Sequence, residues 1–409
     1  MDSIAIAFLR NRGDVLFVRY PSGDADGPWT GIEAPVDDGQ RPLEAVQAVL
    51  TGSLGVDVDA IELAYAGESI ETPADDDDGE PRTVYPFMFD TATRSIGPVE
   101  RAAATEWCSP TELLDRPTVP GLWTAYRAVG PTPESIAADE EHGSAELSIR
   151  ALSALRDVAA TATAFDTVTE TARQLVAARP SMAVVSNRIH RVLAEADRTP
   201  AAVHDRAIAA IDAAADADAR AAQAAAERID GTVLTLSRSG TVLETLVRSG
   251  AGAIVAESRP ACEGVQAAEQ LARSGLDVTL TTDAAAAVHV HDGSVSAVLV
   301  GADTVLPTGD VVNKVGTLAV LLAAEAADVP RYVVAAQDKI APEAEFYPVE
   351  GAVSDIYDGE ESIAVSNPTF DRTPATHVTG VITESGLLSD EDIQMIAAQH
   401  RANRSWQQG

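Results

Sequence analysis

Five short polar strings in the second half of the chain carry the side chains whose chemistry can be named. They are Ser237-Arg238-Ser239-Gly240, Glu257-Ser258-Arg259-Pro260, Thr281-Thr282-Asp283, Gly301-Ala302-Asp303 and, beyond Gly309-Asp310, Asn313-Lys314. Arg259 and Lys314 are of the types that neutralise a phosphate. Backbone N–H groups at Gly240 and at a helix start near Asn313 would cradle one. Asp303 offers a carboxylate able to move a proton. Taken singly, each residue also suits a helix cap or a turn. Complementary charge repeated in consecutive strings instead selects a phosphorylated small molecule as ligand. No cofactor and no metal site is expected.

The strings follow apolar runs. Val233-Leu234, Ala253 to Ala256, Val278 to Leu280 and Ala297 to Val300 precede the first four, and Tyr332 to Ala335 is a further run. Helical segments are expected between them, near 241–249, 262–274, 284–288 and 312–327. Such alternation predicts a parallel sheet with right-handed crossovers. In open sheets of that kind ligands bind beyond the carboxyl ends of the strands, so the five strings would meet on one edge.

Upstream, residues 142–228 are nearly free of strand signals. Helices are expected over about Ser144 to Ala159, Ala164 to Ala177, Met182 to Ala196 and Ala202 to Ala226. The 200–228 stretch is so alanine-rich that periodicity leaves open whether it packs closely or lies exposed. Residues 1–128 read as strands, turns and helix, with Ile4 to Leu9 and Val15 to Val18 joined by the turn signal Arg12-Gly13-Asp14. Pro42 to Leu54 is the first helical stretch, and the acidic run Asp75 to Asp78 before Gly79 is expected to be a solvated hairpin tip. A connector rich in proline and acid, Pro131 to Glu141, marks the domain boundary. The expected organisation is a domain over 1–128, a linker over 129–141, a helical subdomain over 142–230, a Rossmann-like α/β domain over 231–370, and a tail over 371–409 with a helix near Asp390 to His400.

Composition narrows the functional classes. The 409 residues carry a formal net charge of −34, which repels nucleic acid and anionic lipid. Neither is expected as a direct partner. Aromatic residues are only 4% of the chain, so its cores must be built from Ala, Val and Leu. Of the 29 basic residues only Lys314 and Lys339 are lysines, a balance that suits a salt-loaded cytoplasm. Cys108 and Cys262 form neither a disulfide framework nor a zinc pattern. With no apolar run of membrane-spanning length and no basic-then-apolar leader, a cytoplasmic location is expected.

The strings VAESRPACEG (255–264), TLTTDAAAA (279–287), VLVGADTVLPTGDVVNKVGT (298–317) and RYVVAA (331–336) resemble one family. It joins the eIF2B α, β and δ subunits, archaeal eIF2B-like proteins, ribose-1,5-bisphosphate isomerase and methylthioribose-1-phosphate isomerase. RPSMAVVSN (179–187), opening on Arg179, is similar to the loop of that family's helical domain. The resemblance covers roughly 142–370. It implies a homo-oligomer and a ligand site over Arg179, Arg238, Ser239, Gly240, Glu257, Arg259, Asp283, Gly301, Asn313 and Lys314. A translation factor as partner also follows from it.

In the isomerases a cysteine and the aspartate of GAD form the acid–base pair. Asp303 matches the aspartate. The cysteine position, in a stretch resembling THCNSG, holds Ser237, with Leu236 and Arg238 in place of the histidine and asparagine. An RGAGR-like phosphate loop is replaced by His142-Gly143-Ser144-Ala145-Glu146. A serine hydroxyl is a far weaker acid than a thiol of pKa about 8.5. Ser237 and Asp303 are therefore the catalytic candidates, and the expectation is a regulatory, non-catalytic binder of a sugar phosphate or nucleotide. The alternative is an aldose–ketose isomerase of a ribose-1,5-bisphosphate-like sugar phosphate, with Asp303 as base and Arg259 and Lys314 on phosphate.

Residues 1–128 resemble a Nudix domain in layout, with Pro28-Trp29-Thr30 and a Glu106-Trp107-Cys108-Ser109-Pro110 string before a terminal helix. The Nudix box demands carboxylates for Mg²⁺. Here Ala34, Gln40, Ala48-Val49 and Gly52-Ser53 stand at its key positions, and only Gly55-Val56 fits. A scaffold without hydrolysis is expected; a Nudix hydrolase is the remote alternative.

Overall fold

The computed structural model describes residues 3–22, 25–53, 61–73, 81–97, 99, 101–139 and 142–408. The acidic run Asp75 to Asp78 and the pair Gly55-Val56 lie outside them. The chain divides into two compact units. Unit 1 gathers Met1–Ser135, Arg150–Val168 and Pro200–Ile211; unit 2 gathers Ile136–Ile149, Thr169–Thr199 and Asp212–Gly409.

In unit 1, β1 (Ser3–Asn11) and β2 (Asp14–Ser22) form the hairpin that the Arg12-Gly13-Asp14 signal predicts, with Leu9 opposite Leu16. They are followed by β3 (Ala25–Thr30), β4 (Ile32–Pro35), α1 (Pro42–Ser53), β5 (Ile61–Ala66), β6 (Ile70–Thr72), β7 (Arg82–Thr91), β8 (Ala104–Cys108) and α2 (Leu122–Val129). The strands make one mixed sheet in which β1 runs parallel to β7. Alternation along β1 sends Ala5, Ala7 and Leu9 to a core shared with α1, and Ile6 and Phe8 to a core shared with α2. Unit 1 is thus an α/β/α layer structure. The connector at 131–141 is not irregular throughout, because α3 (Pro133–Ala138) occupies it. Four long helices follow: α4 (Ser144–Thr161), α5 (Phe165–Ala178), α6 (Ala183–Glu195) and α7 (Pro200–Ala226). The structure decides the alanine question in α7. Val203, Ala207, Ala210, Ala214, Ala217, Ala221 and Ala225 are buried at helical spacing, so one face packs closely.

Unit 2 contains β9 (Thr232–Leu236), α8 (Gly240–Ser249), β10 (Gly252–Ala256), α9 (Glu263–Arg273), β11 (Val278–Thr281), α10 (Ala286–His291), β12 (Ala297–Val300), β13 (Thr304–Val305), β14 (Val311–Lys314), α11 (Thr317–Ala326), β15 (Arg331–Val334), β16 (Phe370–Thr373), β17 (Gly380–Thr383), β18 (Gly386–Leu387) and α12 (Asp390–Ala402). The main sheet has the order β11-β10-β9-β12-β15-β17-β18, parallel except for β18. Counting parallel strands along the chain, this is the 3-2-1-4-5-6 order of a Rossmann-like sheet, whose switch point lies between β9 and β12. Leu234, Ile254, Val298 and Val333 face one core, and Val233, Val255, Leu299 and Val334 the other.

Two local expectations are corrected. The segment expected to be helical from 312 begins as strand β14, and the helix starts only at Thr317. Val311 and Val312 are β-branched and pair with β16, which overrides the helical pattern. The segment after 371 supplies β17 and β18 to the main sheet as well as the expected helix. Among the described residues no helix is long and apolar enough to cross a membrane.

Candidate active site at the sheet switch point

The β9–β12 register pairs Ala297 with Val233 and Val298 with Leu234. Extending it brings Gly301 opposite Ser237, so the strings Ser237-Arg238-Ser239-Gly240 and Gly301-Ala302-Asp303 leave the sheet side by side. Gly301 is required there, because a Cβ on it would stand 2.7 Å from Ser239 Oγ. Ser239 caps α8, accepting the N–H of Val242, and Gly240 opens that helix.

Three non-glycine residues in these loops hold left-handed backbone: Ser237 (φ 64°), Ser258 (φ 64°) and Cys262 (φ 57°). Such conformations cost on the order of 1 kcal/mol each and cluster at functional sites. The loops are pinned by hydrogen bonds. Ser237 N donates to Ser258 Oγ at 2.6 Å. Asp283 accepts from Ser258 N at 2.8 Å and from Arg259 N at 2.7 Å. Asp283 therefore shapes the loop, with both oxygens committed to backbone. Glu257 joins the sheet edge through its backbone, its N–H donating to Thr281 O. Cys262 is the residue before α9, consistent with a helix-start position.

Glu263, a residue that sequence reasoning passed over, links three elements. Its Oε1 accepts from Ser237 Oγ at 3.2 Å and lies 2.8 Å from Lys314 Nζ. Its Oε2 is buried with no hydrogen-bond partner. Gly264 allows this approach, since a Cβ there would stand 1.9 Å from Ala256 O. Lys314 also lies over the ring of Phe370, its cross-strand partner, at 5.6 Å.

Phe370 lines an open cleft with Ser181, Met182, Asp303, Thr304, Val312, Glu345, Phe346 and Tyr347. Asp303 is fixed by its own N–H, which donates to Val312 O at 3.0 Å. Behind it, Lys339 is buried and donates to Ala302 O at 2.6 Å. Burial lowers the proton affinity of Lys339, and the carboxylates of Asp303 and Asp218 act in the opposite sense. Lys339 is thus tied to the backbone next to Asp303.

Other sequence candidates are placed differently. The N–H groups at the start of α11 are not open to a phosphate: Gly316 N and Leu318 N donate to Asp371 Oδ2 at 2.8 and 3.1 Å. Asn313 is buried and donates to Thr317 Oγ1 at 3.0 Å. Arg179 donates to Ile136 O at 2.9 Å, two residues before the cleft residue Ser181. Arg238 is exposed and donates to Gln266 Oε1, while Arg259 reaches Asp355 O at 3.2 Å. The aromatic wall comes from segment 345–370, where the sequence offers no periodic signal, and Glu263 is legible in the sequence only as a carboxylate next to a glycine.

The fold is that of a Rossmann-like α/β domain, with Asp303, in the loop after β12, on the wall of an open cleft. The chain belongs to the Initiation factor 2 subunit family, which matches residues 140–390. It is 38% identical over 143 residues to 5-deoxyribose 1-phosphate isomerase of Bacillus thuringiensis, covering 32% of this chain and 41% of that protein. It is 35% identical over 156 residues to methylthioribose-1-phosphate isomerase of Rhodopirellula baltica, covering 35% and 44%. The chain thus spans less than half the length of these two curated relatives. The crystal structure of translation initiation factor eIF-2B from Pyrococcus horikoshii is similar, with a TM-score of 0.57 and 26% identity over 63% of this chain and 94% of that one. The fold is also that of 5-methylthioribose 1-phosphate isomerase from the same organism, with a TM-score of 0.55 and 22% identity over 73% and 89% of the two chains.

Proposed function

We propose that the chain is an aldose–ketose isomerase of a pentose 1-phosphate, with Asp303 as the base that moves the C2 proton and Lys314 on the phosphate. The observation that carries this reading is Asp303 on the wall of an open cleft, in the loop after β12, with buried Lys339 donating to the carbonyl of the preceding Ala302. The names of two relatives at 38% and 35% identity support it. Met182, Phe346, Tyr347 and Phe370 make much of the wall apolar, and Glu345 adds a negative charge. That lining favours an uncharged C5 end over the second phosphate of a 1,5-bisphosphate. Incubation of the full chain in molar KCl with 5-deoxyribose 1-phosphate or ribose 1,5-bisphosphate, followed by NMR, tests it. The expected result is a ketose 1-phosphate from the first and slower conversion of the second. Turnover of neither sugar phosphate would overturn the proposal.

One observation favours a second reading, a regulatory subunit that binds sugar phosphate without turnover: a serine stands at the position of the expected thiol. Stabilisation by ligand of about 2.7 kcal/mol at 100 times Kd, with no product, would establish it. We read residues 1–128 as a Nudix-like scaffold without hydrolysis. Glu44, the carboxylate of α1, is exposed and paired with Arg41, and Gln40 accepts the N–H of Asp37. Mg²⁺-dependent phosphate release from nucleoside diphosphates would contradict that. Association into oligomers is likewise proposed, and sedimentation would measure it.

A further inference from the structure

We propose that the segment 390–408 is a strap that holds two walls of the Asp303 cleft at a fixed spacing, with Arg401 and Trp406 as its positioning residues, a role that rests on the cleft being the ligand site read above.

The walls come from separate stretches of chain. Ser181 and Met182 stand immediately before α6, and Glu345, Phe346 and Tyr347 belong to the stretch between Ala341 and β16. The second wall has little framework of its own. Ala341 N donates to Val305 O at 2.7 Å, and Val349 O accepts from Thr369 N at 2.8 Å. Between these points, among the described residues, 342–348 make no backbone–backbone hydrogen bond. Tyr347 Oη donates to Glu345 inside the stretch, and Phe346 packs on the apolar cluster of Ala183, Leu306, Val312 and Ala341. Among the described residues, the hydrogen bonds that reach 342–348 from another element come from Arg401. Its Nη2 donates to Pro342 O at 2.5 Å and its Nε to Glu343 Oε1 at 3.0 Å. Fixing backbone costs conformational entropy, and whatever the strap does not hold a ligand must order on binding.

Arg401 can anchor this wall because its own helix is fixed. α12 begins at a capping box between Ser389 and Asp392. Ile393 and Ala397 put one face of it into the core of the main sheet, and His400 is buried near its end. The turn Asn403–Gln408 then brings Trp406 onto α6. Trp406 Nε1 donates to His190 Nδ1 at 3.1 Å, the two rings lie 5.8 Å apart, and the Arg173 guanidinium sits over the indole at 5.9 Å. His190 is on the helix that Met182 precedes, about 12 Å along its axis from that residue. Arg401 and Trp406, five positions apart, thus grip one wall each. Arg404, between them, acts on the same wall: the bond to Glu345 raises the Tyr347 hydroxyl, and the charge of Arg404 opposes that.

Magnitudes separate this role from a purely structural one. The side chains of Arg401 and Glu343 are 53% and 47% exposed, and an exposed pair adds little to global stability. Its removal leaves the fold in place and frees the wall. Asp303 is held elsewhere, through its own N–H on Val312 O. The strap therefore governs binding and not the chemical step, and its loss raises KM while kcat stays.

The test is a double-mutant cycle on the full chain with Arg401→Ala and Trp406→Phe. Turnover of 5-deoxyribose 1-phosphate is followed by NMR, and its Kd is measured by isothermal titration. Each single variant should raise KM and Kd about fivefold, the effect of one or two lost hydrogen bonds, with kcat near the wild-type value. Once either grip is gone the strap spans nothing, so the double variant should bind about as weakly as either single one. Arg401→Lys, which keeps a donor for Pro342 O, should recover part of the affinity. Two independent contacts would instead multiply to about 25-fold, and that result overturns the inference. Unchanged KM and Kd in Arg401→Ala overturn it too, as does a melting temperature that falls in step with affinity, which would assign the effect to the fold. A wild type that binds without turnover strikes the isomerase reading, and the same pattern in Kd then decides the strap. A wild type that binds no pentose 1-phosphate overturns both.

Discussion

Both units bury an arginine–carboxylate network, and the two differ in how completely they are satisfied. In unit 1, Arg156 and Asp157 are buried with Tyr126. Arg156 donates to Gly13 O at 2.6 Å and, through Nε and Nη2, to Asp157 Oδ1 at 2.9 and 2.7 Å. Tyr126 Oη donates to Asp157 Oδ2 at 2.7 Å, and no side-chain polar atom of the three is unpaired. Burial raises the Tyr126 hydroxyl, and Asp157 beside it raises it further, so it stays a donor. In unit 2, Arg188 is buried and donates to Asp338 Oδ2 at 2.9 Å, while Arg191 takes the other oxygen. Here Arg188 Nη2, Asn187 Oδ1 and Asp218 Oδ1 are buried without hydrogen-bond partners, although Arg188 Nη2 lies 3.9 Å from Asp218 Oδ2. A closed network holds one geometry and does nothing more. The second network, joined through Asp338 to the segment that carries Lys339, leaves hydrogen-bonding capacity unused.

The largest effect that would break this comparison comes from removing one partner of the closed network. Asp157→Ala leaves Arg156 buried and uncompensated, and should cost about 3–5 kcal/mol in chemical denaturation. A loss below about 1 kcal/mol would mean the network is not the structural device described.

Next, Asp303→Asn should lower kcat by ~10²–10⁴-fold while leaving the melting temperature unchanged. Steady-state kinetics beside a thermal melt would check it. A large loss of stability instead would place Asp303 with the structural network and not with the cleft.

The third prediction concerns acid. Burial holds His190 and His400 in unit 2 down to about 4. The unfolded chain titrates these groups near ~6.5 and so binds protons that the folded chain refuses between the two values. Stability is therefore full above ~6.5 and lost as pH falls toward 4, by up to ~3 kcal/mol per histidine. Trp406 reports on it, because its Nε1 donates to His190 Nδ1 at 3.1 Å. Asp338 resists longer. Burial alone would raise it, but Arg188 and Arg191 bring it to about 2, so its contribution fades only as pH falls from ~3.8 toward that value. Denaturation followed through Trp406 from pH 7 to 4 should show the loss; a flat profile would remove the histidines from the account.

The smallest effect is salt. A net charge of −34 repels itself, and the screening length falls from about 10 Å at 0.1 M to about 3 Å at 1 M salt. The melting temperature should rise with KCl, and a value independent of salt would reject the expectation.

Much of unit 2 is legible in the sequence. The parallel sheet, its strand positions and the meeting of polar strings at one edge follow from alternating apolar runs, because a crossover between parallel strands must be long and right-handed. The position of Asp303 in the loop after β12 follows for the same reason. What escapes is set by pairing across long separations. The sequence places Lys314 at a helix start facing a phosphate, but β14 pairs with β16 and turns the lysine onto Glu263 and Phe370. The start of α11 is expected to bind an anion, and Asp371, 54 positions past Thr317 in number, supplies one from the chain itself.

The sequence by itself determined the α/β class of the second unit, the edge on which its site lies, the chain's acidity and the absence of a thiol at Ser237, because composition and short-range periodicity are local properties. Only the tertiary structure decided that Glu263 stands beside Ser237, that Lys339 is tied to the backbone next to Asp303, and that helices α4 and α7 contribute to both compact units. Those facts depend on which distant side chains share one buried volume, and a buried charge accepts whichever partner the packing brings within reach.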